Sequence, residues 1–313
     1  ALAVLGETAP TLHRYPDGGA FRLRGALAER WKVTPDHVIL GNGSDEILGL
    51  LARTFLSPGD EAVMAEHTFV IYKMEVKAAH GVAVEVPQKN WHHDLPAMAA
   101  AITDKTRLLF VCNPNNPTGT MATKAEVAAL MARVPDHVVV VFDEAYYEYV
   151  RHPEFPESLS YVNAGRNVIV LRTFSKIYGL AGLRIGYGMT TPEITNYLNR
   201  IRPPFNANSM AQRAALAALD DEAHVGASRA LNHAEMDKVR TGLLTLGFEA
   251  LPSETNFLYF DVGRDGREVF DALLRKGIIV RHIDGRMLRV TIGLPEENQL
   301  FLSALADVTR AAR

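Results

Sequence analysis

Short apolar runs alternate with longer stretches of helical periodicity through most of the chain. Several of the runs are apolar at nearly every position, which is typical of strands that are covered on both faces. Helical stretches such as Asp45–Phe55 and Lys124–Ala132 lie between them. The alternation favours an α/β fold with a mainly parallel sheet sandwiched by helices. The predicted strands are Glu61–Ala65, Val82–Val86, Arg107–Cys112, His137–Phe142, Asn167–Arg172 and Arg184–Met189.

The pattern changes near Arg202, which two prolines follow. Beyond it, an alanine-rich helical stretch runs from Ser209 to Leu246, with an interruption around Asp220–His224. Two strand-like runs then flank a further helical pattern, at Asn256–Asp261, Gly266–Lys276 and Met287–Ile292. We therefore expect a large domain over residues 13–203 and a smaller α+β domain over residues 204–313.

Composition narrows the possible functions. Hydrophobic residues make up 48% of the chain and charged residues 22%, which is ordinary for a soluble globular protein. The formal net charge of −3 gives no basic field that would hold a nucleic acid or an anionic membrane. Cys112 has no second cysteine to pair with, which fits a reducing compartment, and no apolar run is as long as a membrane span. We expect a cytoplasmic protein that binds neither nucleic acid nor membranes.

Reactive side chains directly follow three of the predicted strands. In an open parallel sheet, ligands bind at the carboxyl ends of the strands. Turn formation would explain glycine or proline in any one of these segments. It does not explain why an amide, an acid, a phenol, a hydroxyl and a lysine follow successive strands. The segments are Asn113–Gly119, Asp143–Tyr146 and Arg172–Lys176.

The order and spacing of these residues resemble those of the fold-type-I pyridoxal-phosphate (PLP) aminotransferases. The similar motifs are Asn116-Pro117-Thr118-Gly119, Asp143 with Tyr146, Ser175-Lys176 and Arg184. The resemblance is closest to the histidinol-phosphate aminotransferase subfamily, through residues 13–18 (HRYPDG), 41–46 (GNGSDE) and 288–293 (LRVTIG). It implies that residues 13–203 are the PLP-binding domain and that residues 1–12 are the remnant of an N-terminal arm.

The resemblance assigns the central chemistry to Lys176. PLP requires an amine with which to form an imine, and the same lysine would move a proton between the substrate Cα and the cofactor. Most lysines are solvated surface charges, so this one stands out only by its place after a buried strand. Asp143 would keep the pyridine nitrogen protonated, although an aspartate there also suits a helix cap. Asn116 and Tyr146 would hydrogen-bond the phenolic oxygen of the ring; a turn residue and a core aromatic are the plainer alternatives.

The family's phosphate site corresponds to Gly43-Ser44-Asp45, which would open a helix. The unpaired N–H groups and the positive dipole end of a helix N-terminus attract an anion. Helix capping alone would explain the same residues. Thr173 and Ser175 would add hydroxyl donors, and Arg184 would add a two-pronged guanidinium contact.

Other positions follow from the resemblance alone. Phe69 corresponds to the aromatic ring that lies over the cofactor, where many members have tyrosine, and Tyr72 follows a turn later. Arg289 corresponds to the arginine that binds the substrate α-carboxylate, and Arg281 to one that meets the distal anionic group. Tyr15 corresponds to a tyrosine that reaches the neighbouring subunit's site, which implies a homodimer. Isolated arginines are usually solvated, so the residues by themselves would not single these out.

The implied function is PLP-dependent amino transfer, most closely between L-histidinol phosphate and 2-oxoglutarate in histidine biosynthesis. An aromatic amino-acid aminotransferase on the same scaffold is the close alternative, since the motifs do not separate the two. A PLP-dependent decarboxylase is a further alternative. So is a PLP-binding sensor of transcription, but it would need a DNA-binding module that the sequence lacks.

Two other signals are weak. Trp91-His92-His93-Asp94 has no second cluster with metal-ligand spacing, so a polar loop without a metal is the better interpretation. No Gly-x-Gly-x-x-Gly fingerprint follows the first strands, which disfavours a nicotinamide dehydrogenase.

Overall fold

The computed structural model describes residues 1–310. The helices of this part of the chain are α1 (Leu2–Thr8), α2 (Phe21–Trp31), α3 (Ser44–Phe55), α4 (Ile71–Ala78), α5 (Leu95–Ala100), α6 (Lys124–Met131), α7 (Leu159–Asn163), α8 (Pro192–Ile201), α9 (Ser209–Leu219), α10 (Glu222–Thr245), α11 (Gly266–Arg275) and α12 (Pro295–Arg310). The strands are β1 (Val38–Gly41), β2 (Glu61–Ala65), β3 (Val82–Val86), β4 (Thr106–Cys112), β5 (Val139–Asp143), β6 (Val168–Thr173), β7 (Gly186–Thr190), β8 (Phe257–Asp261), β9 (Arg281–Asp284) and β10 (Met287–Thr291).

Side-chain caps determine where many of the helices begin. A side-chain oxygen accepts a backbone N–H of the first turn in α5, α6, α8, α9, α10 and α11, from Asp94, Thr123, Thr191, Asn208, Asp221 and Asp265. Each such cap stabilises its helix by about 1 kcal/mol. The helix α3 differs, because Gly43 precedes it with a φ of 84° and offers no capping side chain. The first N–H groups of α3 are therefore not used by a side-chain cap.

Seven strands form the main sheet, in the order β1-β7-β6-β5-β4-β2-β3. The strands β2 to β6 pair in parallel, and β7 is antiparallel to both β6 and β1. The predicted mainly parallel sheet is confirmed. The strand predicted from Arg184 begins at Gly186, because Arg184 has a positive φ of 57° that does not continue a strand. The short strands β1 and β9 were not predicted.

Alternate residues of the central strands face opposite sides of the sheet. In β5, Val140 and Phe142 belong to a buried cluster with α2, α5, α6 and α9. Val139 and Val141 belong to a second cluster with α3, α4 and α8. We call these two sides the α9 face and the α3 face. Complete burial of one such side chain stabilises the fold by about 1.5–3 kcal/mol, so both faces hold the strand ends firmly.

The C-terminal part has its own sheet and core. The strands β8, β10 and β9 form an antiparallel sheet in that order, and its buried side chains pack with α10, α11 and α12. The long helical stretch breaks at Asp220 and Asp221 into α9 and α10, which confirms the predicted interruption. The helix α9 packs against α1 and α2, on one side of the large sheet. The boundary at residue 203 and the separate status of residues 1–12 stay predictions. Within residues 1–310, no helix combines the length and apolar character that a membrane span requires.

Candidate active site

The residues predicted to bind the cofactor converge on one cavity at the carboxyl edge of the main sheet. The strands β4, β5 and β6 end at Cys112, Asp143 and Thr173, and the parallel register places Cys112 beside Asp143. The cavity has a volume of about 180 Å³. Its walls include ten predicted residues, Ser44, Asp45, Phe69, Asn116, Asp143, Tyr146, Thr173, Ser175, Lys176 and Arg184, together with Cys112 and Ala145.

Asp143 is a buried carboxylate with two defined hydrogen-bond donors. Tyr72 donates its hydroxyl to Oδ2 over 2.7 Å, and the backbone N–H of Ala145 donates to Oδ1 over 3.3 Å. Burial raises the pKa of Asp143 to about 6, while the hydrogen bond from Tyr72 acts to lower it. A cationic partner in the cavity would relieve the cost of this buried charge.

Tyr72 and Cys112 are site residues that the sequence analysis did not assign. Tyr72 is fully buried and stacks on Phe110, with ring centres 4.7 Å apart and 6° between the planes. Its contact with Asp143 spans 71 positions of the chain, which no local pattern reveals. The sequence offered one signal for Tyr72: it follows Phe69 by three residues, a spacing that places two side chains on the same face of a helical turn. Burial raises the pKa of Cys112 to about 12, so its thiol stays neutral.

Lys176 lies in the loop that follows β6. Its Nζ is 5.2 Å from the centre of the Tyr146 ring. Burial lowers the pKa of Lys176, and the Arg289 guanidinium lowers it further, whereas the carboxylate of Asp143 raises it. A lysine with a lowered pKa has a larger neutral fraction near neutral pH. The neutral amine is the form that acts as a nucleophile or a base.

The N-terminus of α3 forms one end of the cavity, where Ser44 and Asp45 begin the helix. Arg184 reaches the same place from the turn just before β7: its Nη2 donates to Asp45 Oδ1 over 2.8 Å and its Nη1 to Ser175 Oγ over 3.4 Å. Backbone N–H groups, hydroxyls and a guanidinium are the donors that a phosphate accepts.

Two glycines keep this end of the cavity open. A Cβ on Gly43 would collide with the side chains of Asp45 and Arg184. A Cβ on Gly186 would collide with the backbone nitrogen of Ser44. The donors and the space of this site therefore fit the phosphate of PLP, and the buried Asp143 fits its pyridine nitrogen.

Tyr146 and Asn116 are held in place by the small sheet. The Tyr146 ring meets Phe257 edge-on, with centres 5.2 Å apart. Burial raises the pKa of Tyr146, so its hydroxyl remains a donor. Asn116 Oδ1 accepts a hydrogen bond from Arg289 Nη1. An amide that accepts through Oδ1 still offers two donors at Nδ2, so both side chains have a donor for an oxygen in the cavity.

The two predicted substrate arginines are neighbours on the small sheet. Arg289 of β10 and Arg281 of β9 are paired in the antiparallel register, which places their side chains on one face. The Arg289 guanidinium lies 4.8 Å from the centre of the Phe257 ring, and burial lowers its pKa. Arg281 is exposed. Neither arginine lines the cavity itself. Arg289 is connected to the cavity wall by its hydrogen bond to Asn116, which is a wall residue.

Tyr15 is a predicted site residue that, like the two arginines, does not line the cavity within one chain. It is 82% exposed and stacks on Phe205, with ring centres 4.7 Å apart. Phe205 is also exposed. A stacked aromatic pair on the surface is a feature that a partner chain would cover.

Comparison with known proteins identifies the family. The family model for aminotransferases of class I and II matches residues 5–305. This chain belongs to the class I and II aminotransferases. The predicted PLP-dependent aminotransferase, the fold-type-I α/β fold and the PLP cofactor are confirmed.

Individual aminotransferases resemble the chain over nearly its whole length. The histidinol-phosphate aminotransferase of Moorella thermoacetica is 51% identical, over 98% of this chain and 81% of that protein. Histidinol-phosphate aminotransferase 2 of Pseudomonas fluorescens is 49% identical, over 100% of this chain and 85% of that protein. The crystal structure of histidinol-phosphate aminotransferase from Sinorhizobium meliloti, in complex with pyridoxal-5'-phosphate, superposes with a TM-score of 0.95 at 30% identity, covering 100% of this chain and 87% of that one.

Proposed function

We propose that this aminotransferase is a histidinol-phosphate aminotransferase. It would exchange the amino group of L-histidinol phosphate with 2-oxoglutarate, giving imidazole-acetol phosphate and glutamate, as a step of histidine biosynthesis. The observation that carries the substrate assignment is the identity of 51% with a relative of that name over 98% of the chain. The cavity supports amino transfer in general, because it combines a lysine of lowered pKa with a buried carboxylate.

Lys176 and Asp143 have complementary roles in this proposal. Bound PLP supplies an electron sink for the bonds at the substrate Cα. Lys176 is the amine that holds the cofactor and then moves a proton to and from the substrate Cα. Asp143 keeps a proton on the pyridine nitrogen, and Tyr72 keeps Asp143 ionised by donating to Oδ2.

The remaining wall residues would orient the cofactor. The N–H groups at Ser44 and Asp45, the hydroxyls of Thr173 and Ser175, and the Arg184 guanidinium hold the phosphate, with Gly43 leaving room for them. Phe69 covers one face of the ring. Asn116 and Tyr146 donate to the ring's phenolic oxygen.

Substrate contacts would come from the small sheet and from a second chain. Arg289 binds the α-carboxylate of glutamate, and Arg281 binds the distal anionic group, which is the second carboxylate of glutamate or the phosphate of histidinol phosphate. Both residues present guanidinium groups on one face. In a homodimer, the exposed Tyr15 would reach the partner's site. Since the chain has one cysteine and no described membrane-spanning helix, we infer that it acts in the cytoplasm.

A substrate panel tests the proposal. The PLP-loaded enzyme is mixed with L-histidinol phosphate or with L-phenylalanine, and the loss of the visible absorbance of the cofactor imine is followed in single turnovers. We expect the rate per unit concentration to be at least about a hundredfold higher for histidinol phosphate, because a paired phosphate is worth several kcal/mol. Faster turnover of phenylalanine would make the chain an aromatic amino-acid aminotransferase. Release of carbon dioxide without keto-acid formation would exclude transamination.

Subunit mixing tests the role of Tyr15. Lys176→Ala and Tyr15→Ala are each expected to have little activity as homodimers. A mixed dimer places both substitutions in one site and leaves the other site intact. Mixing the two variants under conditions of subunit exchange should therefore restore up to about a quarter of wild-type activity. No recovery in a sample with demonstrated exchange would contradict a contribution across the dimer.

A further inference from the structure

A tight hairpin follows β3, and an unfavourable residue occupies its tip. Lys89 and His92 exchange two backbone hydrogen bonds of 3.0 Å. The two residues between them, Asn90 and Trp91, form the loop, with φ angles of 52° and 64°. Two-residue hairpin loops with a positive φ at both positions favour Asn followed by Gly. Asn90 suits its position, whereas Trp91 stands where glycine is preferred, so its backbone is strained.

The tip of this hairpin contacts three other segments of the chain. The indole of Trp91 meets the ring of Tyr259 on β8 edge-on, with centres 5.4 Å apart. It also lies 5.2 Å from the ring of His67, two residues before the cavity residue Phe69. The backbone oxygen of Trp91 accepts a hydrogen bond over 2.9 Å from Thr120 Oγ1, in the loop that follows β4. The hairpin tip therefore joins the small sheet to two segments that carry walls of the cofactor cavity.

The aromatic partner of Trp91 is a direct neighbour of the substrate arginine. In the register of the small sheet, Tyr259 pairs with Arg289, which pairs in turn with Arg281. Paired side chains lie on one face of a sheet, with Cβ atoms about 4.5–5.5 Å apart. Phe257 contributes a ring to the same face, 4.8 Å from the Arg289 guanidinium. Two aromatic side chains of β8 thus neighbour Arg289, and the indole packs against one of them.

A strained conformation of a bulky residue persists only where the surrounding structure holds it, and such positions cluster at functional sites. We propose that Trp91 is a positioning residue, whose indole fixes Tyr259 and so orients the Arg289 guanidinium for the α-carboxylate of glutamate. This inference rests on the proposed function, in which glutamate and L-histidinol phosphate react at one site. Histidinol phosphate has no carboxylate, so the position of Arg289 matters chiefly for glutamate.

The variant Trp91→Gly separates the indole from the turn. Its loop has the Asn-Gly sequence that this turn favours, so the hairpin should form while the indole is lost. Single turnovers of the PLP-loaded variant with rising L-glutamate or L-histidinol phosphate give a dissociation constant and a limiting rate for each. We expect the glutamate dissociation constant to rise about tenfold, the effect of losing one hydrogen bond to a charged group. The limiting rates and the constant for histidinol phosphate should stay within about twofold, as for an independent site.

Three further variants identify the group responsible. Asn90→Gly is the matched control, because it changes the other loop residue of positive φ and keeps the indole; both dissociation constants should stay unchanged. Trp91→Phe keeps an aromatic ring beside Tyr259 and should recover most of the affinity for glutamate. Tyr259→Leu tests the same contact without changing the hairpin, and the Tyr259 hydroxyl has no hydrogen-bond partner among residues 1–310. It should weaken glutamate binding selectively, and combining it with Trp91→Gly should add little more.

Two results overturn the proposal. If the glutamate dissociation constant is unchanged in both Trp91→Gly and Tyr259→Leu, the indole serves only the hairpin. If the dissociation constants of both substrates rise equally, Trp91 supports the fold of the whole site and does not orient Arg289. The proposed function fails by a different result, since a wild-type enzyme that does not turn over histidinol phosphate refutes the substrate assignment, while the glutamate constants still decide the role of Trp91.

Discussion

The hydrogen bond from Tyr72 to Asp143 gives a direct test of how the site controls charge. Tyr72→Phe removes only the hydroxyl and leaves the ring stacked on Phe110. Asp143 then keeps the backbone N–H of Ala145 but loses its closest donor, at 2.7 Å. The carboxylate becomes harder to ionise.

The size of the effect follows from the burial of the pair. A hydrogen bond to a charged, buried group contributes about 1.5–3 kcal/mol, and one pKa unit corresponds to about 1.36 kcal/mol. The pKa of Asp143, which burial raises to about 6, should therefore rise by about 1–2 units in the variant. At neutral pH, much of the carboxylate would then be protonated and unable to stabilise a charged pyridine nitrogen.

The pH dependence of kcat/KM measures this change between pH 5 and 9. The acid limb of the profile should move to higher pH by about 1–2 units, with the plateau retained at high pH. Tyr178→Phe is the control, because Tyr178 also has a buried hydroxyl but with no partner among residues 1–310. It should leave the limb in place. An unmoved limb in Tyr72→Phe, or a loss of activity that is equal at every pH, would refute the reasoning.

Three further results are expected. Gly43→Ala should weaken PLP binding at least about tenfold, because its Cβ collides with Arg184. Gly59→Ala is the control: its φ is 88° but the space around it is open, so it should show only a backbone strain of about 1 kcal/mol. Cofactor titration measures PLP binding and urea unfolding measures the strain. Arg184→Lys should weaken PLP binding about ten- to a hundredfold while pyridoxal, which has no phosphate, binds as before; equal losses for both would contradict a phosphate contact. Burial raises the pKa of Glu148 to about 7, so the folded chain holds a proton at pH 6.0 that is lost as the pH rises. Raising the pH from 6.0 to 8.5 should lower the free energy of unfolding of the wild type by about 1.4 kcal/mol more than that of Glu148→Gln. If the free energies of unfolding of the two proteins depend on pH in the same way, this expectation is contradicted.

The predicted strand bounds agree best for two runs of five residues that begin directly after turn residues. The bounds of Glu61–Ala65 and Val82–Val86 agree with β2 and β3. A short, mainly apolar run bounded by turn residues is consistent with a strand, and the turn residues define where it begins. The strands β1 and β9 have four residues each, too few for a pattern to emerge. Their pairing with β7 and β10 comes from tertiary contacts, which a single sequence does not reveal.

The convergence of the cofactor residues was predictable for a topological reason. Parallel strands deliver their carboxyl ends to one edge, so Asn116, Asp143 and Lys176 meet there although they are far apart in the chain. Side-chain partners across the core were not predictable. The donor to Asp143 comes from α4, and the guanidinium of Arg172 finds its aromatic partners on α2 and in the loop after β5. Such contacts depend on how the helices pack on the sheet. Periodicity predicts only which face of each helix is buried.

The pKa shifts of Lys176 and Asp143 have one cause and opposite directions. Burial lowers the pKa of the amine and raises that of the carboxyl, because a low-dielectric site disfavours either charge. The attraction between the two groups is too weak to cancel the cost of burying their charges. The pKa of Lys176 stays lowered and the pKa of Asp143 stays raised, as burial alone would have them. The charges that this site needs are those of the cofactor: a protonated pyridine nitrogen for Asp143 and a phosphate for Arg184. Binding PLP should therefore stabilise the fold more than its contact area alone implies, and Asp143→Asn should remove part of that stabilisation while leaving the phosphate's share intact.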